Sequence, residues 1–380
     1  MIYLDNAATS FPKPHGVTQE LARCVRLYGG NPGRGSHRLS MRAAEKIYEC
    51  REALARLLGS PNPENVVFTL NATAAINLAV KGLLRKGDHV LLSDLEHNAV
   101  LRPIHRLATS GTVTYDVFPS LALSPDRSPD RICAEIEGRI LPNTRMLICT
   151  HASNICSLTM PLAEIGALCH RRGILFVVDA AQSAGRLPID RTAMQIDALC
   201  VPSHKGLFGV QGCGALLLRE GLTCSTLVEG GSGMHSLEPF MPEETPERYE
   251  AGTLPTPAIA SLREGIRFLD EVGMEAVSEA EDRTAELIKD RLLSLRGITV
   301  FTPWARGPIV LFHSDTLPAD RIASELDHYG ICVRSGFHCA ALAHKTLATP
   351  SDGAVRISTS YFSSPRHADA LWRALREILG

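Results

Sequence analysis

The longest apolar runs of this 380-residue sequence, such as Ile174 to Val178, are strand-sized and far too short to cross a bilayer. No membrane association is expected. The formal net charge is only −2 with 21% charged residues, which gives neither a basic footprint for nucleic acid nor an acidic tail. The 11 cysteines are odd in number and scattered from Cys24 to Cys339, and no two form a C-x-x-C pair. That excludes an obvious disulfide framework and an obvious zinc signature, so no metal is expected. Most of them read as small buried hydrophobes in a reducing compartment. The opening Met1-Ile2-Tyr3-Leu4-Asp5 lacks the basic-then-apolar pattern of a signal peptide, and a cytoplasmic protein is expected. There is no internal repeat and no low-complexity segment.

The length suffices for two domains with a sizeable core. A first helix is expected from about Ser40, as N-cap, to Leu58, with Gly59 just past its end. From Val66 short apolar runs alternate with amphipathic segments. Strands are expected at Val66 to Phe68, His89 to Leu92, Val113 to Phe118, Met146 to Cys149 and Ile174 to Val178. Helices are expected at Ala74 to Leu84, Pro103 to Ala108, Arg131 to Leu141 and Leu162 to Arg172. Such alternation with continuously apolar strands argues for an α/β fold with a mainly parallel, helix-covered sheet. The rhythm breaks after Gly221, where glycine- and proline-rich stretches read as long functional loops. A helical region from Ala258 to Arg296 follows, then strands at Ile298 to Phe301 and Ile309 to Phe312, and helices at Ala319 to Tyr329 and Arg366 to Leu379. The expected division is a large domain over 15–260 and a smaller α+β domain formed by 1–14 and 261–380.

Five stretches carry chemistry. Ser203-His204-Lys205 follows the apolar run Ala198 to Val201 and precedes a glycine-rich patch. A desolvated lysine approached by permissive backbone suits a Schiff base, although a lysine in a loop is more often simply solvated. Asp179 ends the run Val177-Val178 and so lies beyond the carboxyl end of a strand, where open parallel sheets bind ligands. A carboxylate there would keep the ring nitrogen of pyridoxal phosphate protonated, or would merely cap the next helix. Asn71-Ala72-Thr73 turns a strand into a helix, and the free N–H groups there form an anion site for a phosphate if they are more than an ordinary cap. His97, in Glu96-His97-Asn98, stands where it could stack on a flat ring and shuttle protons. In Arg334-Ser335-Gly336-Phe337-His338-Cys339-Ala340 the guanidinium fork of Arg334 suits a substrate carboxylate. Cys339 lies there beside His338, a setting that favours thiolate. Arg356, on a short strand, is a second carboxylate clamp.

Together with Tyr3-Leu4-Asp5-Asn6-Ala7-Ala8 and Glu250-Ala251-Gly252-Thr253, these stretches resemble class V aminotransferase-fold enzymes. The Arg334 to Ala340 segment is similar to that of group II (SUF-type) cysteine desulfurases and selenocysteine lyases. The likeness runs from Met1 to about Phe362. It implies the aspartate aminotransferase-like fold type I, with a seven-stranded, mainly parallel sheet, and pyridoxal 5′-phosphate as cofactor. It also implies roles. Lys205 holds the cofactor and acts as acid and base at Cα, Asp179 holds the ring nitrogen, and Gln182 bonds the ring hydroxyl. His97 stacks on the ring, while Ala72, Thr73, Ser203 and His204 contact the phosphate. Thr253 reaches the phosphate of a partner subunit, so a homodimer with shared sites is implied. Asn154, Arg356, Arg334, Asn6 and Arg34 lie on the substrate side, and Asn154 also touches the cofactor. Cys339 attacks the sulfur of L-cysteine, leaving a persulfide for an acceptor protein and releasing alanine.

Three positions depart from the family pattern. Pro202 stands where a hydroxyl residue is usual, so either Ser203 takes its place or the phosphate is gripped more weakly. Ser157 replaces a glycine near the substrate, and Thr73-Ala74-Ala75 lacks an acidic residue. A selenocysteine lyase, another C–S lyase on a cysteine-derived substrate, or an aminotransferase-like enzyme is the alternative on the same fold. A catalytically idle scaffold is disfavoured because Lys205, Asp179, His97 and Arg356 are all present.

Overall fold

The computed structural model describes residues 1–33 and 35–380. Elements are numbered in chain order, beginning with β1 (Ile2–Tyr3), α1 (His15–Leu27) and α2 (Arg38–Leu57). The alternating region then runs β2 (Val66–Thr69), α3 (Ala72–Leu83), β3 (Asp88–Ser93), α4 (Asn98–Thr109), β4 (Val113–Phe118), α5 (Pro129–Glu137), β5 (Thr144–Thr150), α6 (Leu162–Arg172) and β6 (Leu175–Asp179). Two further strands, β7 (Ala198–Pro202) and β8 (Gly214–Leu218), complete a seven-stranded sheet of order β2-β8-β7-β6-β5-β3-β4. β8 runs antiparallel to both of its neighbours, and the other pairings are parallel. The expected α/β, mainly parallel, seven-stranded architecture is therefore what the chain adopts.

The apolar continuity of these strands follows from burial on both faces. In β6, Phe176 and Val178 enter one core with α2, α5 and α6, while Leu175 and Val177 enter the other with α3 and α4. β5 and β7 divide their residues in the same alternating way.

After the sheet come α7 (Thr256–Val272), α8 (Met274–Leu293), β9 (Ile298–Phe301), β10 (Ile309–Ser314), α9 (Ala319–His328), β11 (Ile331–Cys332), β12 (Arg334–Gly336), α10 (Ala341–Thr346), β13 (Ala354–Ser358) and α11 (Pro365–Leu379). Strands β12-β13-β10-β9 form an antiparallel sheet, and β1 pairs with β11.

Several boundaries differ from the sequence reading for local reasons. α2 starts at Arg38 rather than after Ser40, because the ring of His37 accepts the Ser40 N–H at 3.2 Å and so acts as the N-cap. α3 starts at Ala72, capped by Asn71 Oδ1, which accepts from Ala74 N at 2.9 Å. The expected helix from Ala258 to Arg296 is two helices, broken at Gly273, whose φ of 90° lies in the region glycine favours. α1 was not anticipated, although Val17 and Cys24 sit on one buried face of it. β8 hid within a stretch that reads as glycine-rich.

The expected domain boundary at 260 falls inside α7, whose Ile259, Leu262, Ile266 and Leu269 belong to the core of the large sheet. We propose that the division lies at the Gly273 break instead, since Ala285, Ile288 and Leu292 of α8 enter the core beneath the antiparallel sheet.

Arg51 in α2 and Glu250 form a buried two-pronged pair at 2.8 and 2.9 Å. Glu250 Oε1 also accepts from Phe68 N of β2 at 2.6 Å, and the Arg51 guanidinium lies 4.7 Å from the Phe68 ring centroid. This pair fastens the 250–254 segment to the sheet edge. Removing one partner strands a buried charge, so Arg51→Ala is expected to cost about 3–5 kcal/mol, read as a fall in the thermal midpoint. The paired replacement Arg51→Met with Glu250→Leu is expected to cost less than that single change, and the reverse order would refute the pairing.

Candidate active site

A cleft opens at the carboxyl ends of the parallel strands. Five turns build its wall: Asn71 to Thr73 after β2, His97 after β3, Thr150 to Asn154 after β5, Asp179 to Gln182 after β6, and Pro202 to Lys205 after β7. The fold thus brings Lys205, Asp179, Gln182, His97, Ala72, Thr73, Asn154 and His204 to one place.

Among the described residues Lys205 is the one lysine that lines the cleft. Burial pushes its pKa down to about 8, against the opposing pull of Asp179 and with help from Arg356 and Arg334. Its neighbour Gly206 serves the fold rather than ligand approach, since a Cβ there would meet the Ala184 carbonyl oxygen at 2.5 Å. Asp179 is almost fully buried. Burial pushes its carboxyl up, while Oδ1 accepts from Ala181 N at 2.9 Å. His97 caps α4 by accepting from Ala99 N at 3.0 Å through Nδ1, which leaves the ring proton on Nε2. Burial, then Lys205 and Arg356, lower it to about 4, so the ring is neutral.

Ser203 is placed differently from the sequence expectation. It is fully buried, its hydroxyl has no partner, and it does not line the cleft. A Cβ at Gly209 would collide with its Oγ, so the hydroxyl points into the chain turn and does not replace the one that Pro202 lacks. His204 does line the cleft, its buried Nδ1 has no partner, and burial lowers it to about 4.

Of the residues expected near a substrate, Asn154 donates to the His338 carbonyl at 2.9 Å. Arg356 is 3% exposed and donates to Asn154 O at 3.1 Å and to Asp5 Oδ1 at 2.7 Å. Arg334, half-exposed, places Nε and Nη2 at 3.0 and 2.9 Å from Asp5 Oδ2. Two guanidinium groups therefore share one carboxylate, and Arg356 Nε remains without a partner. The net charge of +1 suits one substrate carboxylate. Sequence reasoning missed Asp5 as the centre of this cluster, because the pairing spans almost the whole chain.

Asn6 is fully engaged. Its amide donates to Ser358 O and its Oδ1 accepts from Phe11 N, and it borders a separate small cavity beyond Lys205. Arg34 lies outside the described residues. Thr253 lies on a different cleft, where Asn31 Nδ2 donates to its hydroxyl at 3.3 Å. Ser157 adopts φ 56°, the region its glycine counterpart would favour, and its hydroxyl bonds Ile309 N and O at 2.8 and 2.9 Å. Cys339 is exposed on the loop before α10, and its carbonyl accepts from Asn98 N, next to His97, at 2.7 Å. The adjacent His338 supplies no positive charge to it. Burial drives that ring down to about 3, and both nitrogens face other partners.

Glu96 was quoted only as part of a motif. It is fully buried, its Oε1 accepts from Thr150 N at 2.7 Å and from the Ser93 hydroxyl, and its Oε2 has no partner. Burial pushes it up to about 8, and nearby Asp179 adds to the shift. It ties the ends of β3 and β5 together beneath the cleft. Among the described residues no group of three or more His, Cys, Asp or Glu side chains could hold a metal ion.

The residues fit pyridoxal phosphate. They present a desolvated amine, a buried carboxylate, an unpartnered ring nitrogen at His204, and the first turn of α3, whose Ala72 and Thr73 N–H groups lie outside the helix ladder and suit an anion. The family model for aminotransferase class-V matches residues 2–371. The chain belongs to the class V aminotransferase family.

A probable cysteine desulfurase of Methanothermobacter thermautotrophicus is 33% identical over all of this class V chain and 95% of its own length. A cysteine desulfurase of Escherichia coli O7:K1 is 30% identical over 100% of this chain and 93% of that protein. Among solved structures, the apo cysteine desulfurase of Thermococcus onnurineus NA1 superposes with a TM-score of 0.89 at 28% identity, covering 100% of this chain and 94% of that one. The E. coli cysteine desulfurase CsdA also gives 0.89, at 26% identity, with 100% and 95% covered.

Only an unprotonated Lys205 amine can capture an aldehyde. With a pKa near 8, the neutral fraction rises about tenfold per pH unit below that value and then saturates. The rate at which cofactor-free protein acquires the visible band of bound pyridoxal phosphate is therefore expected to level off above about pH 8. A rate still climbing steeply at about pH 10 would show an unperturbed lysine.

Proposed function

We propose that this class V protein is a pyridoxal-phosphate-dependent cysteine desulfurase, which takes the sulfur of L-cysteine onto Cys339 and releases L-alanine. The desulfurase assignment rests on the full-length relatives, and the observation that favours Cys339 is the tethering of its loop to residues in and beside the cleft wall. Its carbonyl bonds Asn98 N, beside the cleft residue His97, and the carbonyl of His338 bonds Asn154.

When bound, the cofactor supplies an electron sink that acidifies Cα and lets the bond from Cβ to sulfur break. Lys205 would hold it and move the proton at Cα, since its amine exchanges protons near neutral pH. Asp179 would offer Oδ2 to the ring nitrogen, its Oδ1 being tied to Ala181 N. Neutral His97 would cover the ring, and Gln182, which already donates to Ala7 O at 2.9 Å, would offer its carbonyl to the ring hydroxyl. Ala72, Thr73 and His204 would take the phosphate. The substrate carboxylate would sit on the Arg356 Nε edge and Arg334, with Asn154 holding the Arg356 fork in place. Cys339 Sγ would attack the substrate sulfur. The new S–S bond forms as the bond to Cβ breaks, and the released electron pair ends as a C–H bond of alanine.

A homodimer is part of this reading. Thr253 lies away from its own cleft, and the exposed Tyr48, Leu227, Val228 and Phe240 offer apolar surface for a second copy. Thr253 would then complete the phosphate site of the partner subunit. A protein sulfur acceptor belongs to the same reading, as does a cytoplasmic setting, which the 11 unpaired cysteines support. No helix among the described residues is long and apolar enough to cross a membrane.

The test is alanine and sulfide release from L-cysteine in the presence of a thiol reductant. The unmodified enzyme is expected to release both. Cys339→Ala is expected to lose turnover at least about a hundredfold while keeping its cofactor band. A protein that binds the cofactor but leaves cysteine untouched contradicts the proposal, and selenocysteine and cysteine conjugates then become the substrates to try.

A further inference from the structure

The loop that carries Cys339 passes through two successive left-handed residues, His338 with φ 49° and Cys339 with φ 55°. Neither is glycine, so the surroundings must hold both against their intrinsic preference. Backbone anchors do part of this, from Asn154 Nδ2 to His338 O, from Asn98 N to Cys339 O, and from Ala340 N to Phe337 O at 2.9 Å. The side chains do the rest.

His338 Nε2 faces the Arg334 carbonyl at 3.4 Å, and a carbonyl can only accept, so Nε2 carries the proton. Nδ1 must then accept, and its partner is His344 Nε2 at 3.2 Å. That fixes His344 as the Nε2–H tautomer, whose Nδ1 accepts from the Thr349 hydroxyl at 2.8 Å. The rings lie nearly parallel, 13° apart with centroids at 5.4 Å. Every donor meets an acceptor only while both rings are neutral, and burial lowers them to about 3 and about 4. His344 sits on α10, and Thr346 of that helix donates to Asp94 Oδ2 at 3.1 Å, just past β3. The relay therefore connects the cysteine loop to the frame of the large sheet.

We propose that the Thr349–His344–His338 hydrogen-bonded relay positions the Cys339 loop, so that the sulfur-accepting thiol is presented in one geometry. The proposal rests on Cys339 being the sulfur acceptor. His344 and Thr349 act through His338 and touch neither cofactor nor substrate, which makes them positioning residues.

Steady-state turnover of the cofactor-loaded enzyme with L-cysteine tests this in His344→Ala, His344→Gln, Thr349→Val and Thr349→Ser, with Cys339→Ser alongside. Gln keeps a donor near the place of Nε2, and Ser keeps the hydroxyl. His344→Ala and Thr349→Val are expected to lower kcat about tenfold with KM and the cofactor band unchanged. His344→Gln and Thr349→Ser are expected to recover most of it. Should His344→Ala fail to fold, Thr349→Val decides, because it lies further from the loop. Unchanged kcat in the Val variant, or a loss that Ser does not rescue, overturns the relay while leaving Cys339 in its role. Full turnover by Cys339→Ser would instead overturn the assignment of Cys339 itself.

Discussion

The carboxylate of Asp5 is shared by two arginines, and the placing of Asn154 in the cleft wall depends on that sharing. Arg356 is a buried cation and would be untenable without an anion beside it. The anion comes from the first residues of the chain, which are laid between β11 and β13 by the β1 pairing and the bridge from Asp5 to Ser358. Its second oxygen takes Arg334, and the other arm of Arg356 takes the Asn154 carbonyl. One ion cluster thus ties the N-terminal segment, the antiparallel sheet and a turn of the large sheet around a residual charge of +1.

The cofactor side follows a different principle, in which burial neutralises groups rather than pairing them. Lys205, His97, His204 and Glu96 are all shifted toward their uncharged forms by desolvation. For Lys205 this brings proton exchange into the neutral range. For His97 it gives a flat uncharged ring that still holds the start of α4. Glu96 does structural work beneath them, closing β3 onto β5 at the strand ends where the cleft begins.

Local signals carried most of this. The continuous apolar strands, Asp179 at the end of one of them, and Lys205 between a strand and glycines were all legible, because each depends on a few neighbouring residues. Side-chain direction was less so. Ser203 reads as a phosphate donor, yet the crossing of Gly209 against it turns the hydroxyl away from the cleft. His338 reads as an activating cation beside Cys339, yet His344 and the Arg334 carbonyl claim its nitrogens. Asp5 escaped notice for the same reason, since its partners lie more than 320 residues away. α1 and β8 were missed because polar residues in one, and flanking glycines in the other, masked short buried faces.

The most direct measurement of the central claim, that sulfur passes to Cys339, is a single turnover with L-cysteine and no reductant, followed by peptide mass analysis. One additional sulfur atom on the peptide containing Cys339, formed in step with alanine, is the expected result. Alanine formed while that peptide keeps its original mass, with the extra sulfur on another cysteine or on none, would contradict it.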